Sequence, residues 1–224
     1  MAAWSNGCKS EPAVPSPTPI EKSLIVGDAG AIELASQIPD APRAVGVIAH
    51  PHPLFGGTMD NKVVTTLARA FFEAGAATWR FNFRGIGRSE GQHDEGRGET
   101  ADMLKVIAHA VAQHPGLPLW LAGFSFGGAV TQAASEQVTA SEMILVAPSF
   151  QRLAQWQNRP EGSAATPENT LIIHGEKDET VALADSFDWA RARNIPVTVV
   201  PGADHFFHQR LHIIRQIVGR WLTA

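Results

Sequence analysis

Along most of the chain, short runs of consecutive apolar residues alternate with stretches in which apolar residues recur every three or four positions. The first pattern marks strands buried on both faces, and the second marks amphipathic helices. Two β-rich segments come first. Residues 23–28 (SLIVGD) and 31–38 (AIELASQI), joined by Ala29 and Gly30, predict an antiparallel hairpin. Residues 44–50 (AVGVIAH) predict a buried strand, and 61–75 (NKVVTTLARAFFEAG) a helix that stops at a glycine. A strand over 76–83 and a helix over 99–114 follow, the helix closed by Pro115 and Gly116. The rest reads as a strand at 118–124, a helix from near Phe126, strands at 143–150 and 170–175, a helix at 181–194, a strand at 196–202 and a last helix from about Phe206.

This order predicts an α/β fold: a mostly parallel sheet of about seven to eight strands with helices on both faces, forming one domain over 23–224. Parallel sheets of this kind collect their functional groups at the carboxyl ends of the strands. Three such ends carry reactive side chains. Ser125 follows the strand at 118–124, Asp178 the strand at 170–175, and His205 the strand at 196–202.

Composition narrows the function classes. The 224 residues are 44% hydrophobic and 18% charged, and no apolar run reaches the ~18 residues a membrane span needs, so a soluble, cytoplasmic chain without a membrane partner is expected. A net charge of −4 offers no basic surface to phosphates, which argues against nucleic acid as a partner. Cys8 is the only cysteine and forms no internal disulfide. The opening MAAWSNGCKS lacks the basic start and apolar stretch of a secretory signal, and EPAVPSPTPIEK carries four prolines in extended-chain spacing, so residues 1–22 are expected to be a mobile tail.

A serine hydroxyl is a poor nucleophile at neutral pH and needs a base within reach, itself oriented by a third group. Serine, aspartate and histidine at three strand ends meet that need. Gly123 and Gly127 flank Ser125 where a tight strand-to-helix turn would leave no room for side chains, and Gly128 and Ala129 allow a close approach of helix to sheet. G-x-S-x-G alone is short enough to arise by chance. Its combination with the other two strand ends is what gives it weight.

Over nearly all of 23–224 these residues resemble the α/β-hydrolase superfamily, with GFSFG (123–127) as nucleophile elbow, HGEKDETV (174–181) as acid loop through Gly175, Asp178 and Val181, and GADHFF (202–207) as histidine loop. HPHPLFGGTMDNKVV (50–64) and RFNFRGIGRSEG (80–91) look like the compact, lid-less bacterial serine hydrolases related to dienelactone hydrolase. The resemblance implies Ser125 as nucleophile, His205 as general base and then acid, and Asp178 as the residue that orients His205. Glu176, Glu179 and Asp204 lie close in sequence but off the family's position. The resemblance also implies an oxyanion hole from the Phe126 N–H and one N–H of the 50–57 loop. Pro51 and Pro53 have none to give, which leaves His52 and Leu54, with the family pattern favouring His52.

Only about twenty residues, 151–169, separate the strands between which larger relatives carry a cap, so no cap domain and an open site are expected. Leu54, Phe55, Phe124, Phe206 and Trp156 are the candidate substrate-lining residues. An open apolar rim suits a small or short-chain ester, cleaved through an acyl-enzyme without cofactor or metal by a monomer or small homo-oligomer. Thioesterase, acyl transferase and peptidase activity would use the same triad, and a non-catalytic ligand-binding protein of the same fold is the remaining alternative. His205, His208 and His212 have metal-like spacing on one face of the expected last helix, but no carboxylate or thiolate completes a set. FRGIGRS lacks the lysine of a phosphate cradle and reads as a turn.

Overall fold

The computed structural model describes residues 18–151, 166–167 and 169–223. Its eight-stranded sheet runs in the order β1 (Glu21–Gly27), β2 (Gly30–Gln37), β4 (Ala76–Phe81), β3 (Ala44–Ala49), β5 (Leu119–Phe124), β6 (Glu142–Val146), β7 (Thr170–Gly175), β8 (Val197–Val200). The β1–β2 and β2–β4 pairs are antiparallel, and every other pair is parallel. Helices α1 (Lys62–Glu73), α2 (Arg97–Gln113), α3 (Phe126–Ser135), α4 (Leu183–Arg191) and α5 (Leu211–Thr223) cover both faces.

The continuous apolar strands are explained by this two-sided cover. Along β3, Ala44 and Ile48 join the cluster beneath α1 and α5, whereas Val45, Val47 and Ala49 join the one beneath α2 and α3. Alternate residues point to opposite faces of a strand, so both parities must be apolar. α1 packs closely enough that a Cβ on Gly46 would meet the Phe71 ring at 2.6 Å. From β3 the chain goes first to β4 on one side and later to β5 on the other. The carboxyl ends of β3 and β5 therefore flank the point where strand order reverses, the usual place for a ligand crevice in such sheets.

Several boundaries differ from the sequence expectation, and those that bear on the fold and the site are these. β1 starts at Glu21, inside the predicted tail, and the hairpin turns at Asp28 and Ala29 with Gly27 opposite Gly30. The strand expected at 143–150 ends at Val146, because Ala147 has a positive φ of 43° that turns the chain. Phe150 then stacks on Trp189 at 4.2 Å rather than extending the sheet. The last helix begins at Leu211 instead of about Phe206, because Phe207 (φ 52°) and Gln209 (φ 60°) hold the chain in turns. His205 and His208 consequently precede α5, and the expected single helical face with His212 does not form. Among the described residues no group of histidine, cysteine and carboxylate side chains is arranged to hold a metal ion, and no helix is long and apolar enough to cross a membrane. Cys8, Trp156 and most of the 151–169 connection lie outside the described residues.

Candidate active site

Ser125 sits between β5 and α3 with φ 55° and ψ −118°, a backbone region that side chains avoid. Backbone bonds on both its N–H and its carbonyl keep it there. Its N–H donates to the Val146 carbonyl at 2.9 Å, and its own carbonyl accepts from Gly128 N–H at 2.9 Å and Ser149 N–H at 3.1 Å. The neighbouring glycines are required by close approach. A Cβ on Gly123 would overlap the Gly127 carbonyl, and one on Gly127 would overlap the His50 carbonyl and lie 2.6 Å from the Ala49 oxygen. Gly128 faces Pro148 at a would-be Cβ distance of 3.0 Å, so α3 starts directly against the sheet.

The three strand-end side chains meet. His205 Nε2 lies 3.1 Å from Ser125 Oγ, and His205 Nδ1 lies 2.7 Å from Asp178 Oδ2. All three side chains are almost fully enclosed, and the Asp178 carboxylate has no exposed surface. Oδ1 of Asp178 accepts the N–H groups of Thr180 (2.9 Å) and Val181 (2.8 Å). Burial pushes the Asp178 carboxyl up, but hydrogen bonds from His174, His205 and Val181 outweigh it and hold the group well below the usual carboxylate range. An ionised carboxylate there keeps the proton of His205 on Nδ1 and leaves Nε2 to face the serine hydroxyl.

The neighbouring carboxylates are engaged elsewhere. Glu176 Oε2 accepts the Gly202 N–H at 2.7 Å, Asp204 pairs with His208 at 2.6 Å, and Glu179 is exposed at the rim. A cleft of about 480 Å³ opens beside His205, lined by Lys177, Glu179, Thr180, Gly202, Asp204 and Phe206. That side of the rim carries charged side chains beside Phe206, in addition to the apolar side chains expected there.

The loop after β3 reaches the other side of Ser125. His50 is fully buried; its Nε2 accepts the Phe83 N–H at 2.9 Å, so its Nδ1 carries the proton and donates to the Pro51 carbonyl at 2.6 Å. Burial, helped by His52 nearby, lowers the His50 pKa to about 4. His50 is thus a neutral anchor that ties the loop to the end of β4. His52 caps a 3-10 turn at Pro53–Phe55, its Nδ1 accepting from Leu54 N–H at 3.3 Å. The His52 ring lies 4.8 Å from the rings of Phe126, His93 and Phe55.

Of the candidate lining residues, Leu54, Phe55 and Phe206 are exposed around the site. Phe124 is not a lining residue. It is completely buried under the His205 ring at 4.9 Å and supports the imidazole from below. The Gly-rich run after β4 is a structural turn, since a Cβ on Gly87 would meet Asn82 Nδ2 at 2.5 Å, and Glu33 Oε2 accepts both Asn82 Nδ2 (2.8 Å) and Arg88 N–H (2.9 Å). Sequence reading missed His174 and Ser186, which extend the line beyond Asp178. The available signal was a lone histidine within the apolar strand TLIIHG.

The profile of a protein family described as Hydrolase_4, serine aminopeptidase, S33, matches residues 40–164. An α/β serine hydrolase homologue from Coxiella burnetii is 38% identical and superposes with a TM-score of 0.80 over 89% of this chain and 96% of that one. The chain belongs to the α/β-hydrolase superfamily. A serine hydrolase without lid from Xanthomonas campestris is 34% identical, with a TM-score of 0.82 over 94% of this chain and 96% of that one. An uncharacterized protein from Rickettsia prowazekii is 28% identical over 195 residues, covering 83% of this chain and 80% of its own length. This α/β hydrolase is therefore a serine hydrolase by family and fold.

Proposed function

We propose that this hydrolase is a carboxylesterase that cleaves small or short-chain acyl esters through an acyl-enzyme, with Ser125, His205 and Asp178 as its triad. The observation that carries the reading is the line of hydrogen bonds from Asp178 through His205 to a serine held at positive φ at the head of α3. Ser125 Oγ attacks the ester carbonyl while His205 Nε2 takes its proton, and Asp178 stabilises the resulting imidazolium. The carbonyl oxygen becomes an oxyanion next to the N-terminus of α3, where backbone N–H groups and the helix dipole favour negative charge. Phe126 and His52 supply its two N–H groups; Leu54 is the poorer choice because its N–H already meets His52 Nδ1. His205 then protonates the departing alkoxide, and a water deprotonated by the same nitrogen releases the acid.

Leu54, Phe55 and Phe206 give a small apolar contact area beside a charged cleft, which supports short acyl groups over long lipids. The family description favours one second reading, cleavage of an aminoacyl amide by the same residues. Hydrolysis of p-nitrophenyl esters of increasing acyl length, beside aminoacyl p-nitroanilides and Ser125→Ala, tests both. Activity is expected to peak at short acyl esters and vanish in the variant. A folded protein that hydrolyses none of them and resists a phosphonate serine probe would overturn the proposal.

A further inference from the structure

The mechanism just given leaves a second imidazole on the Asp178 carboxylate without a role. His174, the last residue but one of β7, has no exposed surface, and its Nε2 lies 3.2 Å from Asp178 Oδ2, the same oxygen that His205 Nδ1 reaches at 2.7 Å. His174 Nε2 also lies 3.0 Å from the Val181 carbonyl. A carboxylate and a carbonyl only accept, so Nε2 is the protonated nitrogen of this ring and donates to both. Nδ1 then presents a lone pair to Ser186 Oγ at 2.8 Å, and the hydroxyl donates to it. Ser186, His174, Asp178, His205 and Ser125 form one hydrogen-bonded line from α4 to the head of α3.

We propose that His174 is a positioning residue that divides the charge of Asp178 Oδ2, fixing the oxygen in line with His205 while keeping His205 less basic than an unshared carboxylate would. The inference rests on the reading of Ser125 and His205 as nucleophile and base. Each donor on a carboxylate oxygen withdraws charge from it, so a second donor weakens the stabilisation offered to the imidazolium of the first. A base works best when its proton affinity suits the operating pH. Holding the acid loop does not by itself call for His174. Oδ1 already ties that loop through the Thr180 and Val181 N–H groups, and Lys177 N–H donates to the Ala203 carbonyl at 2.8 Å.

Other ionisable groups around this line are placed or paired differently. Lys177, Glu179 and Asp204 face the cleft on the solvent side of His205, with Asp204 bonded to His208, and Glu176 holds the Gly202 N–H. On α4, Asp185 accepts from Gln151 and Asp188 pairs with Arg191. On the β3 side, the His50 ring is taken up by Pro51 and Phe83, and His52 packs on Phe126. α3 carries no charged residue. Among the described residues, His174 and His205 are the ionisable side chains that hydrogen-bond Asp178.

The test compares wild type, His174→Leu and His174→Gln by two readouts: kcat/KM for p-nitrophenyl acetate against pH, and titration of the His205 imidazole by NMR. In His174→Leu both the acid limb and the His205 titration are expected to move to higher pH by about half a unit to one unit. His174→Gln, which keeps an N–H donor in reach of Oδ2, is expected to restore most of the wild-type profile. A role confined to holding the loop predicts a kcat lowered by the same factor at every pH and an unmoved titration; that result, or a Gln variant displaced as far as Leu, overturns the proposal. Should His174→Leu fail to fold, Ser186→Ala takes its place. It weakens the donor by removing the hydroxyl on Nδ1, so a smaller upward shift is expected and an unmoved titration is fatal. Wild-type protein that hydrolyses no ester refutes the esterase reading alone, because the NMR titration still reports the influence of His174.

Discussion

Replacing Ser125 by glycine is expected to give a more stable protein than replacing it by alanine, with activity lost in both on the proposed reading. Ser125 is held at φ 55° and ψ −118° by bonds from its own backbone to Val146, Gly128 and Ser149. A residue with a Cβ in such a region costs about 1–3 kcal/mol. Alanine keeps the Cβ and therefore the strain, whereas glycine removes it. Glycine returns part of the gain, about 0.5–1 kcal/mol, through the greater freedom of its unfolded chain. Both variants lose the same 3.1 Å bond between Oγ and His205 Nε2, so that loss cancels in the comparison. The glycine variant should then exceed the alanine variant by up to about 2.5 kcal/mol, each kcal/mol being worth roughly 2–4 °C in a chain of this size. Urea unfolding followed by tryptophan fluorescence measures the difference, provided the two m-values agree. A glycine variant less stable than the alanine variant would show that the elbow stores too little strain at Ser125 to outweigh the freedom of glycine in the unfolded chain.

Two further perturbations read the parts that hold the site. The His50 pKa, lowered to about 4 from 6.5 by burial, makes the unfolded chain bind more protons between those values, so stability is fully present above about pH 6.5 and declines as pH falls to 4, by about 3 kcal/mol from this residue. His50→Gln should flatten the stability curve over that window in urea titrations, and parallel curves for variant and wild type would refute the assignment of a neutral anchor. In Gly175→Ala, the new Cβ would lie 2.6 Å from the Ala203 oxygen and 2.8 Å from the Asp204 oxygen, pushing the histidine loop off the acid loop. Because ångström-scale misplacement of a reacting group costs about a hundredfold in rate, a kcat loss of that order against p-nitrophenyl acetate is expected, and wild-type kcat in the variant would sink the argument.

The sheet and the three strand-end residues were legible because they depend on patterns local to each element. Apolar runs of four to eight residues identify doubly covered strands, and the G-x-S-x-G spacing follows from the clashes that any Cβ at Gly123 or Gly127 would meet. What was not legible depends on contacts distant in the sequence or on backbone signs. The start of α5 was misplaced because Phe207 and Gln209 adopt positive φ although neither residue type advertises it. Phe124 looked like a lining residue from its position next to Ser125, but strand alternation turns it beneath His205. His174 and Ser186 belong to different elements, a strand and a helix, and their bond exists only because α4 packs back on β7. A histidine in an apolar strand says that a polar partner must exist, since buried polar groups are paired, but not which one.

The geometry of the site is set chiefly by backbone, and this bears on how the chemistry could be achieved. The acid and histidine loops are clamped to each other by Glu176 N–H on the Val200 carbonyl, Lys177 N–H on the Ala203 carbonyl and Glu176 Oε2 on the Gly202 N–H. Asp178 and His205 therefore move as one unit attached to β7 and β8. Ser125 belongs to a second unit, fixed to β5 and β6 through its N–H on Val146. The two units meet through the parallel β6–β7 pairing, whose register runs from Met143 opposite Thr170 to Val146 opposite Ile173. The strands of this pairing lie in an interior that packs like a crystal and yields little. The His205–Ser125 separation thus follows from sheet register, so substrate binding need not assemble the line of hydrogen bonds before Ser125 can act in the proposed role.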